Sequence, residues 1–368
     1  MAQKSLCIVH NNAMELDKIH YSFNSLDGYN KPVNFIVSPR GDGKTTAFLV
    51  GKAWPAFVRD GQATIVQRRF INDITEKYIE GLAGIINKFT GAGLKLSYKI
   101  TQLKKDGVID VFAQSHGGKR IFTIVAMNTR LSNLKGLFQS DTRYWLCDEF
   151  ICNPKMDERY IKGEAFKFRE AFNTLARENF KMKAYFLGNP YSLYNPYFQD
   201  WGVNPAIVSR QRFTSGKKWI VEYHKLSDEL RDYYLENNPM YDEESTYTLY
   251  ALDGSAILDK NIRVMDRQPP SFVLHFVFAQ NGTRYGIFKN MNILDDNLPT
   301  YWVGTIESLS RSRNVFVFDF DELEEGASIF SRFEREMLAG FASSMRRRDV
   351  GFETINCFYA CQEVYTLL

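Results

Sequence analysis

The residues in this chain best suited to chemistry are Ser38-Pro39-Arg40-Gly41-Asp42-Gly43-Lys44-Thr45, directly after the apolar run Phe35-Ile36-Val37. A loop that holds phosphate needs glycines, so that backbone N–H groups can curl inward around the oxygens. It needs a lysine to reach the outer phosphates and a hydroxyl to hold Mg²⁺, and it must open a helix whose positive end faces the anion. Gly41, Gly43, Lys44 and Thr45 meet these needs, and Thr46-Ala47-Phe48-Leu49-Val50 can continue as the helix. Ser38 stands where the pattern G-x-x-x-x-G-K-[ST] has its first glycine, and Gly-Lys-Thr also occurs in ordinary strand–turn–helix corners.

A second element answers the first. Tyr144-Trp145-Leu146-Cys147-Asp148-Glu149 is an apolar strand ending in two acids. There Asp148 would orient the metal's water shell, and Glu149 would polarise a water for attack on the terminal phosphate. The plain alternative is an apolar strand that stops at two solvated acids. Behind a phosphate loop, the pair argues for an ATPase using ATP and Mg²⁺.

Other candidates have two readings each. Arg68-Arg69 follows the apolar run Ala63–Gln67 and would contact nucleotide or nucleic acid from a sheet edge, or form a solvated pair. Asn189, in Gly188-Asn189-Pro190, could hold the attacking water or form a turn. Arg177 sits at the end of a helical pattern, where it complements the helix dipole or reaches a neighbour's nucleotide; from the residues alone the dipole reading is favoured. Lys135-Gly136 is a further basic candidate. Arg346, Arg347 and Arg348 close the last long helical pattern, as phosphate-backbone contacts or as helix-end cations.

The elements that must position these residues are legible as alternation. From about 32 to 200, short apolar runs alternate with amphipathic segments, the signature of an α/β domain. Predicted strands are Val33–Val37, Ala63–Gln67, Val108–Ala113, Arg120–Met127, Tyr144–Cys147 and Ala184–Leu187, with a hairpin joining the third and fourth. Ala165, Phe168, Ala171, Phe172 and Leu175 recur at helical spacing between Glu164 and Glu178. The charged, tyrosine-rich stretch 208–258 reads as a linker or lid subdomain. From 259 a β-rich unit follows, with Phe272–Phe278 and Arg284–Phe288 flanking a turn at Asn281-Gly282, strands at Tyr301–Val303 and Val315–Phe318, and one helix over Ile329 to Met345.

Composition narrows the classes. With 46 basic and 43 acidic residues the net charge is +3, so any affinity for nucleic acid must be local. The five cysteines form no C-x-x-C pair and the five histidines are scattered, which argues against zinc and for reduced thiols in a cytosolic protein. No signal peptide and no membrane span is expected. A two-metal nuclease would need converging acids. The leading strand of the second unit, Phe272 to Gln280, has none, and Asp319 and Asp321 lack a visible partner, so no nuclease activity is expected.

In order, Arg40-Gly41-Asp42-Gly43-Lys44-Thr45, Arg68-Arg69, Asp148-Glu149-Phe150 and Asn189 followed by Asn195-Pro196-Tyr197-Phe198 resemble the DNA-packaging ATPases of φ29-like small tailed phages, relatives of large-terminase motors. The resemblance covers the first 200 residues well and the rest in outline. It implies an ASCE-type P-loop domain with a mainly parallel sheet over 1–207 and, over 259–368, a smaller α+β domain similar to a ribonuclease-H-like fold without its metal ligands. It implies a homomeric ring, a pentamer when assembled, on the portal of an empty capsid in the host cytoplasm and absent from the mature virion. The ring would drive double-stranded DNA inward, with a structural packaging RNA as a further partner and no membrane. Residue by residue, it assigns phosphate and Mg²⁺ contacts to Lys44 and Thr45, the metal shell to Asp148, the base to Glu149 and trans-acting cations to Arg177 and Lys135. Competing readings are a helicase-like or repair ATPase of the same fold class, and a nucleotide-gated docking module without turnover.

Overall fold

The computed structural model describes residues 20–100, 106–130, 132–133, 141–153, 158–177, 179, 181–241, 245–254, 262–280, 282–292, 297–307, 314–318, 323, 326–354, 356–358, 360–361 and 364, without the side chains of 206, 246, 250, 332 and 333. The chain divides into two compact units, Met1–Ile257 and Leu258–Leu368.

The first unit is built on nine strands: β1 (Val33–Val37), β2 (Ala63–Arg68), β3 (Leu96–Ser97), β4 (Val108–Ala113), β5 (Lys119–Ala126), β6 (Thr142–Asp148), β7 (Lys183–Gly188), β8 (Phe213–Ser215) and β9 (Trp219–Tyr223). Their order is β3-β4-β5-β2-β6-β7-β1-β9-β8. The pairs from β5 through β9 are parallel, and only the edges, β3–β4–β5 and β9–β8, are antiparallel. Parallel sheets need cover on both faces, and β1 is buried at all five positions. Its alternate side chains enter two cores. Ile36 packs with Phe48, Ile79, Leu82 and Ile86 on one face. Phe35 and Val37 pack with Phe168, Phe186, Tyr197 and Phe198 on the other.

The helices follow from that division. Lys44–Phe48 (α1) runs through a π turn, Leu49–Ala53, into Trp54–Asp60 (α2), and with Glu76–Thr90 (α3) covers the first face. Glu164–Ala176 (α4) and Pro196–Trp201 (α5) cover the second. Asn195 caps α5 by accepting from the Phe198 N–H at 3.0 Å, and Pro196 occupies the first turn, where no donor is needed.

Two expectations are corrected. The stretch 208–258 is not wholly a linker or lid, because β8 and β9 belong to the sheet and β9 pairs in parallel with β1 over five residues. The strand was hidden because lysines flank it and a buried acid, Glu222, interrupts it. Only the remainder forms a separate layer, where Asp228–Asn237 (α6) and Thr246–Ala251 (α7) close around Leu226, Leu230 and Leu252.

In the second unit the strands are β10 (Arg263–Val264), β11 (Phe272–Gln280), β12 (Thr283–Asn290), β13 (Tyr301–Thr305), β14 (Val315–Val317), β15 (Ala327–Ile329) and β16 (Val350–Phe352). β11, β12 and β13 form an antiparallel meander, with Gln280 paired to Thr283 where β11 gives way to β12. β14 and β15 continue in parallel beyond β11. The full order is β10-β16-β13-β12-β11-β14-β15; counted from β11, five of these strands run 3-2-1-4-5, the order of ribonuclease-H-like sheets, with β16 and β10 added in parallel beyond β13. The single helix expected over Ile329 to Met345 is instead the end of β15 and two helices, Arg332–Met337 (α8) and Ala339–Arg347 (α9). They break at Leu338, which turns fully into the core and leaves Met337 exposed.

Gly188 ends β7 where a Cβ would lie 2.7 Å from the Phe150 ring and 2.9 Å from Ile151. Gly188→Ala should therefore lower stability by about 1–3 kcal/mol, read as a reduced urea midpoint with an unchanged slope.

Candidate functional site

Three adjacent parallel strands, β6, β7 and β1, end at one level. Val37 pairs with Gly188, and Leu187 pairs with Asp148. The residues that follow, Ser38, Asn189 and Glu149, therefore emerge side by side at the carboxyl edge, where open α/β sheets bind ligands. The inserted strand β7 leaves a gap between the phosphate-loop strand and the acidic strand, and Asn189 stands in it.

The loop itself turns at two glycines. Gly41 and Gly43 have φ of +83° and +84°, a region open to glycine. Ser38 is not among the described residues with positive φ, so this position does not demand the glycine of the usual pattern. Lys44 is buried and donates to the carbonyls of Ser38 and Pro39, both at 2.9 Å, and to Asn189 Oδ1 at 3.2 Å. Burial lowers its ammonium pKa to about 8. Thr45 Oγ1 donates to Asp148 Oδ1 at 3.2 Å. A hydroxyl and a carboxylate side by side are hard oxygen donors that fit a Mg²⁺ ion retaining several waters.

Of the two acids Asp148 is largely buried, while the Glu149 side chain is exposed. Burial raises the Asp148 carboxyl above its usual range, opposed by Arg68. Arg68 reaches Asp148 Oδ2 at 3.7 Å and Glu149 Oε2 at 2.6 Å, and lies 5.2 Å over the Tyr78 ring. Arg69 points the other way, into the core beneath the turn, where Glu164 holds it at 2.9 Å. Neither arginine is presented to nucleic acid as expected. Arg69 is only 9% exposed, and Arg68 is spent on the two acids.

A charged layer that sequence reasoning missed underlies the loop. Asp42 is buried, and burial raises its carboxyl, opposed by His224 and Lys44. His224 lies 3.6 Å from Asp42 and 3.7 Å from Glu222, which also accepts from Tyr21 at 2.7 Å and Arg212 at 2.9 Å. From above, Tyr234 donates to the Gly41 carbonyl at 3.0 Å and the Arg40 N–H bonds Ala251 at 3.1 Å, tying α6 and α7 to the loop. None of these partners has a local motif. The cleft over the loop has a volume of about 1280 Å³, and its walls include His20, Arg40, Thr46, Lys88 and Asn189.

The remaining candidates lie apart. Arg177 is exposed at the C-terminal end of α4. Two residues on, the Asn179 amide donates to the carbonyl of Thr142, the first residue of β6, so Arg177 is at the opposite edge of the sheet from Glu149. Lys135, Gly136, Asp319 and Asp321 lie outside the described residues. Arg346, Arg347 and Arg348 are exposed at the end of α9, where Arg348 makes the left-handed closing turn at φ +61°.

An extra strand between phosphate loop and acidic strand, with Lys44, Thr45, Asp148 and Glu149 gathered at one edge, defines a P-loop nucleoside triphosphatase of the ASCE type. The profile described as Podovirus DNA encapsidation protein (Gp16) matches residues 16–366, and the chain belongs to that family. It is 24% identical over 339 residues to the DNA packaging protein of Bacillus phage B103, covering 88% of this chain and 97% of that one. To the DNA packaging protein of Bacillus phage phi29 it is 22% identical, covering 91% and 95%. Among solved structures, a chain of the Phi-28 gp11 DNA packaging motor superposes with a TM-score of 0.62 at 15% identity, over 94% of this chain and 97% of that one. A chain of the bacteriophage Phi-29 viral genome packaging motor assembly gives 0.58 at 20% identity, over 95% and 97%. These likenesses establish a shared fold along both units.

Because Lys44 must be protonated to meet phosphate, and the free protein releases that proton above pH 8, nucleotide affinity should be flat below pH 8. Above it the dissociation constant for ADP should rise by up to about tenfold per pH unit. Titration calorimetry between pH 7 and pH 9.5 checks this.

Proposed function

We propose that this chain hydrolyses ATP to drive double-stranded DNA into an empty capsid, acting as a homomeric ring at the portal. The observation that carries the reading is the convergence of β1, β7 and β6, which gathers Lys44, Asn189, Asp148 and Glu149 at one edge. Family membership supplies the DNA and the capsid. The related chains are named for DNA packaging, and two of them come from packaging motors.

In the proposed cycle Lys44 leaves the Ser38 and Pro39 carbonyls for the outer phosphates, while N–H groups of the Gly41–Gly43 turn face the anion. Mg²⁺, held through water by Thr45 and Asp148, would neutralise charge on the outer phosphates. Glu149 takes the proton of the attacking water, which requires its 2.6 Å pair with Arg68 to open. Asn189 gives up Lys44 and orients the water or the terminal phosphate.

Arg177 cannot serve its own site. Thirteen residues of helix, about 20 Å at 1.5 Å each, separate the two ends of α4. An exposed arginine at the far edge suits a neighbour's nucleotide, and it is worth about 10³–10⁵ in rate where it meets transferring phosphate. Lys135 is proposed as a second trans-acting group, and Arg346, Arg347 and Arg348 as contacts for a nucleic-acid backbone. The second unit is proposed to lack nuclease activity, because its leading long strand β11, an interior strand of the sheet, carries no acid. The protein would act in the host cytoplasm, transiently on the procapsid.

The test is steady-state ATP hydrolysis with and without double-stranded DNA and empty capsids. Turnover should rise with both, and Glu149→Gln should retain nucleotide binding while losing about 10²–10⁴ in kcat. Wild-type binding without turnover under every condition would point to a docking module. Unwinding of a forked duplex without capsids would point to a helicase.

A further inference from the structure

We propose that Arg69 is a positioning residue for the catalytic turn: its fork, locked from behind by Glu164, holds Glu149 in the backbone conformation that aims its carboxylate. The proposal rests on the reading of Glu149 as the base and gives Arg69 a part that neither a DNA contact nor a stabilising core pair would explain.

The starting observation is Glu149 itself. Its φ is +58°, the left-handed region that a residue with a Cβ rarely adopts, and only Asn30 and Arg348 share it among described non-glycine residues. Such a conformation persists where the surroundings over-determine it. The Phe150 N–H donates to the Leu187 carbonyl at 3.1 Å and the Phe150 ring is buried, and the carbonyls of the turn are held by one guanidinium. Arg69 donates from one terminal nitrogen to the Glu149 carbonyl at 3.3 Å and from the other to the Phe150 carbonyl at 2.8 Å. Two consecutive carbonyls of the turn are thus held by one rigid plane. The third nitrogen, Nε, donates to both oxygens of Glu164 at 3.1 Å and 2.9 Å.

Glu164 is equally committed. It accepts from the Tyr197 hydroxyl at 2.8 Å and from the Ile161 N–H at 2.9 Å, and is 2% exposed. The Tyr160 ring lies 5.1 Å from the guanidinium. Apart from Glu149, whose side chain is exposed, the partners are buried or half-buried, so the Glu164 end of the strut is shielded from competing water. A lysine could supply the charge but not a planar fork that meets two carbonyls and a carboxylate together. Glu164 is also the first residue of α4, the helix that ends at Arg177, so one pair joins the base turn to that helix.

The experiment measures kcat for ATP and the dissociation constant for Mg-ADP in Arg69→Lys, in Arg69→Met with Glu164→Met, and in both again with Glu149→Gln. The double methionine change removes both buried charges together and so leaves neither unpaired. Expected is a fall in kcat of about 10- to 100-fold in both variants, since a misaimed group costs on that order. Mg-ADP affinity should stay within about threefold, with no further fall when Glu149→Gln is already present, because both lesions act through one carboxylate. Wild-type kcat in either variant, an equal loss of Mg-ADP affinity, or a full multiplicative loss on top of Glu149→Gln would overturn it. If the double variant does not fold, Tyr197→Phe, which removes a single hydroxyl from Glu164, decides by the same readouts with a smaller fall of about two- to fivefold. Wild-type turnover in Glu149→Gln alone would instead sink the reading of the base.

Discussion

The register of three parallel strands is the constraint on which this molecule depends. Val37 opposite Gly188 and Leu187 opposite Asp148 bring a lysine, an amide and two acids to one edge, though they lie far apart in sequence. A slip of one residue would turn each strand's side chains to the opposite face and exchange the two cores. The register is secured because β1 is buried on both sides and its neighbours nearly so, with Ile36 committed to one core and Phe35 and Val37 to the other.

That edge gathers charge, most of it buried, and its cations and acids lie against one another or against polar groups. Lys44 rests on two carbonyls and Asn189, Arg68 on the two acids, and Asp42 on His224. Unpaired charges at such burial would be costly, which fits a resting site held by internal partners. In the proposed cycle Lys44 and Glu149 would exchange these protein partners for phosphate and water. Arg69 faces away from this exchange and remains bound to the turn, a division of labour between neighbouring arginines.

Much of this was legible because it is local. A phosphate loop is read over eight consecutive residues, the acidic strand over six, and the Asn281-Gly282 turn announces its hairpin. What escaped is non-local. Glu222 breaks the apolar run of β9 because it is satisfied from Tyr21 and Arg212, distant or flanking groups whose pairing no periodicity encodes. Arg68 and Arg69 look alike in sequence, but successive residues around a strand end point to opposite sides, one toward the acids and one toward Glu164. Tyr197 lies in the motif Asn195-Pro196-Tyr197-Phe198, yet its partner Glu164 is a lone acid at a helix start, which normally signals only a solvated first turn. Leu338 divides the expected long helix because the core draws it inward, a tertiary demand that outranks helical spacing.

The active site is proposed to be completed across subunits, with the base from one chain and Arg177 from the next. The decisive measurement is ATP hydrolysis by Arg177→Ala chains mixed with Glu149→Gln chains on empty capsids with DNA. Each chain alone lacks one half of every interface, but random mixing in a ring restores about a quarter of them. ATP hydrolysis should therefore reappear in the mixture and peak near equal proportions. A mixture as inactive as its two components at every ratio would contradict the shared site.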